Sequence, residues 1–111
     1  MSATAEPLSK HASASRTYGF DFSPLLKSGE ILSGTPTVTI TPAGELEASG
    51  AQVNSSQFDD PDGNTSIAAT KGVTALFSGG ESGTEYSVEV SCGIDGKSET
   101  LAVTVPMSVV G

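Results

Sequence analysis

Four oxygen-bearing side chains, Asp59, Asp60, Asp62 and Asn64, crowd one short stretch that contains "DDPDGN". Carboxylates set this closely are the ligands Ca²⁺ takes from flexible loops. The EF-hand pattern further asks for glycine at its sixth position and a bidentate glutamate at its twelfth. Counted from Asp60, those positions hold Thr65 and Lys71. The stretch therefore reads as a solvated turn made of turn-favouring residues, with no metal site.

The other chemistry-bearing groups are isolated from one another. Cys92 is the single cysteine, so no intrachain disulfide forms and a cysteine-rich zinc site is excluded. It follows Tyr86, Val88 and Val90 at even spacing, which reads as a small buried apolar residue. A reactive thiol needs a basic neighbour, and the only histidine, His11, lies far off near the N-terminus. The same lone His11 leaves no Ser-His-Asp reading. Glu85 and Glu89 fall on the outward face of a strand, where they read as solvated rather than as a hydrolase pair, and Asp21 sits opposite Phe20 and Phe22. Gly79, Gly80 and Gly83 lack the lysine and the following helix of a phosphate loop. Tyr86 reads as the anchor at the start of its strand, in the manner of a corner tyrosine. Asn54-Ser55-Ser56 and Asn64-Thr65-Ser66 match the glycosylation pattern, a match that chance supplies readily. The expectation is no catalytic residue, no cofactor and no metal.

Bulk composition narrows the class further. The chain has 111 residues, the length of one domain, with a net charge of −8. Such acidity repels phosphate backbones and anionic lipid surfaces, so neither nucleic acid nor membrane is the expected partner. Only 36% of residues are hydrophobic and none is Trp, so the core rests on aliphatic side chains and four Phe. Thirteen Gly and six Pro suit a fold with many turns.

The elements that must position these groups are strands. "TYGFDF" puts Tyr18, Phe20 and Phe22 on one face. Pro24 then breaks the ladder, and Leu25 and Leu26 plug one end of the core. Val38 and Ile40 alternate with Thr37, Thr39 and Thr41 between two bracketing prolines, Pro36 and Pro42. "LEASGAQVN" is a weaker strand interrupted at Gly50, and Val73, Ala75 and Phe77 share a face beyond a turn at Lys71-Gly72. Tyr86 to Cys92 and Leu101, Val103 and Val105 form a hairpin across Asp95-Gly96, with Pro106 ending the return strand. About seven short strands at a sandwich's turn spacing predict an all-β, immunoglobulin-like sandwich over residues 17–111. Residues 1–16 are Ser/Ala-rich and aperiodic. They predict an extended arm, disordered alone and ordered by docking on a neighbour. Its candidate contacts are Leu8, Lys10 and Arg16.

The order of these signals resembles the phage fibre–tail adaptor family. The likeness runs through Tyr18 to Phe22, "SPLLKSGEI" at Ser23 to Ile31, Pro36 to Pro42, "SGGESGTEYSVEV" at Ser78 to Val90, Asp95-Gly96, and Thr100 to Val105. The resemblance implies a non-enzymatic virion protein of a tailed phage, attaching fibres to the tail or neck. Its implied partners are fibre, tail or connector subunits and copies of itself in a symmetric assembly. Residues 1–16 also lack the apolar segment of a secretory signal, which fits synthesis in the host bacterial cytoplasm. Two other readings stay open: a capsid decoration protein, and a carbohydrate-binding or adhesion module of a bacterial surface protein.

Overall fold

The computed structural model of the chain describes residues 2–4, 8–42, 44–59 and 66–111, with the backbone alone described at residues 2–4 and Leu8. Ten strands account for most of it: β1 (Ser2–Thr4), β2 (Leu8–His11), β3 (Arg16–Asp21), β4 (Leu32–Thr41), β5 (Leu46–Val53), β6 (Phe58–Asp59), β7 (Ser66–Ile67), β8 (Gly72–Gly79), β9 (Glu85–Ile94) and β10 (Thr100–Val110). One 3-10 turn, Ser23–Leu25, sits where Pro24 was expected to break the ladder. The class is nearly all β, as the period-two alternation predicts, and both main sheets are open. Of the acidic stretch, Asp60, Asp62 and Asn64 lie outside the described residues, as does the turn built on them.

One sheet runs β4–β9–β10, and β1 and β2 lie in succession, both parallel, on the far edge of β10. The other runs β3–β8–β5, wholly antiparallel. The inward faces of the two sheets meet in one core that includes Phe20, Phe22, Phe77, Val90 and Val103. Phe77 lies at its centre, 5.9 Å from Tyr18 in an edge-on pairing and 5.8 Å from Phe20. Tyr86, Val88, Val90 and Cys92 all point inward, while Glu85, Ser87 and Glu89 are exposed. Leu25, Leu26, Val38 and Ile40 pack on the core at its margins.

Several boundaries depart from the sequence expectation, each for a backbone reason. Pro36 lies inside β4, at a shift of register between Ser33 and Thr37 that spares the ladder a missing donor. Pro106 does not end β10. It falls between Ala102–Thr104, which pairs with β1, and Met107–Val110, which pairs with β2, so the strand continues past it. Between β9 and β10, Gly96 alone takes up positive φ within a five-residue connection, rather than both Asp95 and Gly96 in a two-residue turn. Gly50 has φ +64 at the bulge in β5, a conformation that glycine adopts without strain.

The outer face of the β3–β8–β5 sheet carries a second, smaller apolar contact. Phe58 and Ile67, on the β6–β7 hairpin, press on Gly19, where a Cβ would collide with both side chains. Ile67 is thereby buried although it lies outside the main core.

Candidate functional site

Lys10 is the most constrained of the arm's described side chains. It is only 2% exposed, and its Nζ donates to the carbonyl of Gly79 at 2.5 Å and to that of His11 at 2.8 Å. Burial holds its pKa below the usual lysine value. Gly79 belongs to one sheet and β2 to the other, so this ammonium ties the two sheets together. Tyr18 adds a second tie, its hydroxyl donating to the Ser9 carbonyl at 2.8 Å. Burial pushes the Tyr18 phenol up, against an opposing pull from the Arg16 charge. Arg16 itself is exposed at the start of β3, opposite Phe77 in the ladder. Leu8 takes a backbone position opposite Met107.

The strand beneath the arm has an unusual edge. β10 reads TLAVTVPMSVV: eleven residues without one charge. Long uncharged edges recruit other strands unless they are covered, and here the arm is the cover.

Several of the groups weighed for catalysis make contacts within the fold, while Glu85 and Glu89 are exposed. Cys92 is buried, its Sγ lies 3.5 Å from the Ser33 carbonyl, and desolvation pushes its thiol up, away from the reactive thiolate. His11 accepts the Ser13 amide on Nδ1 at 3.1 Å in an exposed turn. Asp21 accepts the Ser23 amide at 2.9 Å. Asp59 is held low by the Ser66 hydroxyl, at 2.6 Å, and by Gln57 at 3.1 Å. Tyr86 is buried, and its hydroxyl oxygen accepts the Glu81 amide at 3.0 Å, five residues upstream. Among the described residues no group of three or more His, Cys, Asp or Glu is placed to hold a metal. A groove of about 420 Å³ opens between β4 and β5, but Glu47 is its single titratable lining group, so it contains no acid–base pair. No helix among the described residues is long and apolar enough to cross a membrane.

Two polar knots gave no sequence signal. Asn54 is 4% exposed; its Nδ2 donates to the carbonyls of Ser56, Ile67 and Ala68, and its Oδ1 accepts the Gly72 amide at 3.0 Å. A glycan acceptor needs that nitrogen free, and here it is buried and bonded. Glu30 gathers a second knot: its carboxylate takes Lys97 and the Lys27 amide, and its carbonyl takes the Lys71 ammonium. The hydrogen bond from Lys97, ahead of the one from Lys27, holds the Glu30 carboxyl below its ordinary value. A spacing of 41 or 67 residues between partners hides such contacts from any local pattern.

Comparison with known proteins finds one family. Residues 10–106 match the family model described as Podophage GP4 fiber-tail adaptor protein gp77. No curated protein and no solved structure matches the chain significantly.

Proposed function

The chain belongs to the podophage GP4 fiber-tail adaptor protein family, and from that premise we propose that it is a non-enzymatic virion piece attaching tail fibres to the tail or neck. The match over residues 10–106 is the observation that carries the reading. The engaged state of Cys92, Asp21, Asp59 and Tyr86 supports a role in holding rather than reacting. We read the fold as an immunoglobulin-like sandwich. The strand orders β3–β8–β5 and β4–β9–β10 correspond to the two sheets of that architecture, and the Tyr86 hydroxyl reaches back to the backbone as a corner tyrosine does. On this reading residues 17–111 are the body and residues 1–16 the docking arm. Fibre and tail subunits are the partners, with copies of the chain set symmetrically around the tail. The protein is made in the host bacterial cytoplasm and ends in the virion.

The test is a phage carrying an early stop in this gene. Purified particles should show intact heads and tails without fibres by electron microscopy, and fibres should return when the protein is supplied in trans. Fully fibred particles with fragile heads would favour capsid decoration instead and overturn the adaptor reading.

A further inference from the structure

We propose that two copies of the chain join edge to edge: Thr37–Thr41 of β4 pairs antiparallel with the same segment of a second copy, about a two-fold axis at Thr39. The inference does not rest on the adaptor reading, because it concerns the chain's contact with itself and is tested on purified protein.

The sequence of this edge is complementary to itself, which a two-fold contact requires because both sides present the same patch. Pro36 to Pro42 reads PTVTITP, a palindrome save that valine and isoleucine exchange. Paired about Thr39, Thr37 meets Thr41, Val38 meets Ile40, and Thr39 meets its own copy. All five are β-branched, the type that packs well across strands. Pro36 falls opposite Pro42, so residues without an N–H close both ends of the ladder and neither strand asks the other for a missing donor.

The fold leaves this edge open. Among the described residues β4 is the last strand of its sheet. Val38 and Ile40 pack on the core yet stay half-exposed, whereas their β9 partners, Val90 and Val88, are 0% exposed. Their open side is the groove that they line with Leu46 and Ala48 of β5. A strand laid along β4 sets an Ile40 beside each Val38 over that groove and leaves the threonines of both copies on one exposed face. The other edges are protected from such pairing: β5 by its bulge and Glu47, β3 by Arg16 and Asp21, β10 by β1 and β2. Charge selects the same place. The chain holds thirteen acids against five cations, so copies repel one another, but residues 36–42 carry no charge. Glu89 pairs with Thr39 one strand inward. Two Glu89 carboxylates would therefore stand three strand spacings apart, roughly 14 Å, beyond the screening length of about 10 Å at 0.1 M salt. A five-residue ladder is smaller than the roughly 20–30 residues a side of a standard interface, so the contact is reversible and depends on concentration.

The experiment is cysteine cross-linking in the full chain, by mild oxidation of concentrated purified protein. Residues opposite one another in an antiparallel pair have Cα atoms about 4.5–5.5 Å apart, within the range of about 4.4–6.8 Å that a disulfide takes. Thr37, Thr39 and Thr41 are exposed, and Cys92 is buried and does not compete. Thr39→Cys should form a covalent dimer by itself on a non-reducing gel. Thr37→Cys should not, because it lies opposite Thr41 and roughly 14 Å from its own copy. Thr37→Cys mixed with Thr41→Cys should cross-link at least about tenfold faster than either alone, and this pair decides the matter if Thr39→Cys folds poorly. Thr39→Lys sets two ammoniums at the axis; it should keep the parent's Tm and abolish the rise in mass with concentration that the parent shows in sedimentation equilibrium. The pairing is overturned if Thr37→Cys alone dimerises as fast as Thr39→Cys, or if Thr39→Lys self-associates as the parent does. It is equally overturned if the parent stays monomeric and no register pair cross-links, or if Thr39→Cys in assembled particles joins a different polypeptide.

Discussion

Replacing Asn54 with Leu keeps the side chain's size and removes all four of its hydrogen bonds. The carbonyls of Ser56 and Ala68 belong to exposed residues and turn to water. The Gly72 amide and the Ile67 carbonyl are buried and have no such recourse. Each buried group left without a partner costs about 1–3 kcal/mol, partly offset because the amide no longer has to be desolvated. The expected loss is therefore about 3 kcal/mol, a large part of the roughly 5–15 available to a domain. That corresponds to a fall of roughly 12 °C in Tm. The loss should also be local. The backbone N–H of Asn54 donates to the Gly72 carbonyl at 3.1 Å and its backbone carbonyl accepts the Thr70 N–H at 2.8 Å, and the side-chain bond to the Gly72 N–H reinforces this pairing where β8 begins. Hydrogen exchange at Gly72 and Thr70 should accelerate more than at Val90. Asn54→Asp retains an acceptor for Gly72 but loses both donors and adds a buried charge, so it should not rescue. A urea-unfolding loss below about 0.5 kcal/mol, the range of ordinary surface changes, would refute the reasoning.

Two further outcomes follow from the same structure. Val90→Asp or Val103→Asp buries an unpaired charge at a position no more than 2% exposed, and should yield insoluble protein or a molten chain in near-UV circular dichroism; a cooperative thermal transition from either variant would contradict the assigned core. Glu30 has a folded pKa below its unfolded value, so it contributes stability above the ordinary glutamate range and loses it as pH falls through that range to the lower folded value. Urea midpoints for Glu30→Gln should accordingly fall less steeply with acidification than those of the parent, and identical acid limbs would show that the Lys97 contact adds nothing.

What was readable in the sequence was what side chains repeat. The alternation of Tyr18, Phe20 and Phe22, and that of Tyr86 to Cys92, gave both the strands and their buried faces, because a strand's two faces meet different solvents. Pro36 and Pro106 misled as boundaries: a bulge in β4 accommodates Pro36, and β10 keeps its register with β9 straight through Pro106, opposite Ser87. The pairing of the arm with β10 was invisible for a related reason. Parallel addition is made by main-chain groups, which every residue carries, so "SAT" and "LSKH" need no pattern to take part. Asn54 and Glu30 look like ordinary loop residues until chain segments many positions away supply their partners. The cationic contacts were read from charge alone. Arg16 is exposed as a docking cation would be, whereas the Lys10 ammonium is committed to backbone carbonyls.

Open sheets leave edges, and the way each edge is guarded decides how such a protein joins others. β5 is guarded by the bulge at Gly50 and by Glu47, and β3 carries Arg16 and Asp21 at its two ends. The first half of β4 is broken by Pro36 and its register shift, while the second half, Thr37 to Thr41, faces the groove toward β5. These guards are covalent features of the strands themselves and do not come off. β10 has no such feature: no charge, and an unbroken register with β9 from Thr100 to Ser108. Its guard is a separate segment attached through four small residues. A protein whose work is to link others needs a surface that is covered while it is alone and available when it assembles. Among its described edges, β10 is the one whose cover is a separate segment rather than a feature of the strand itself.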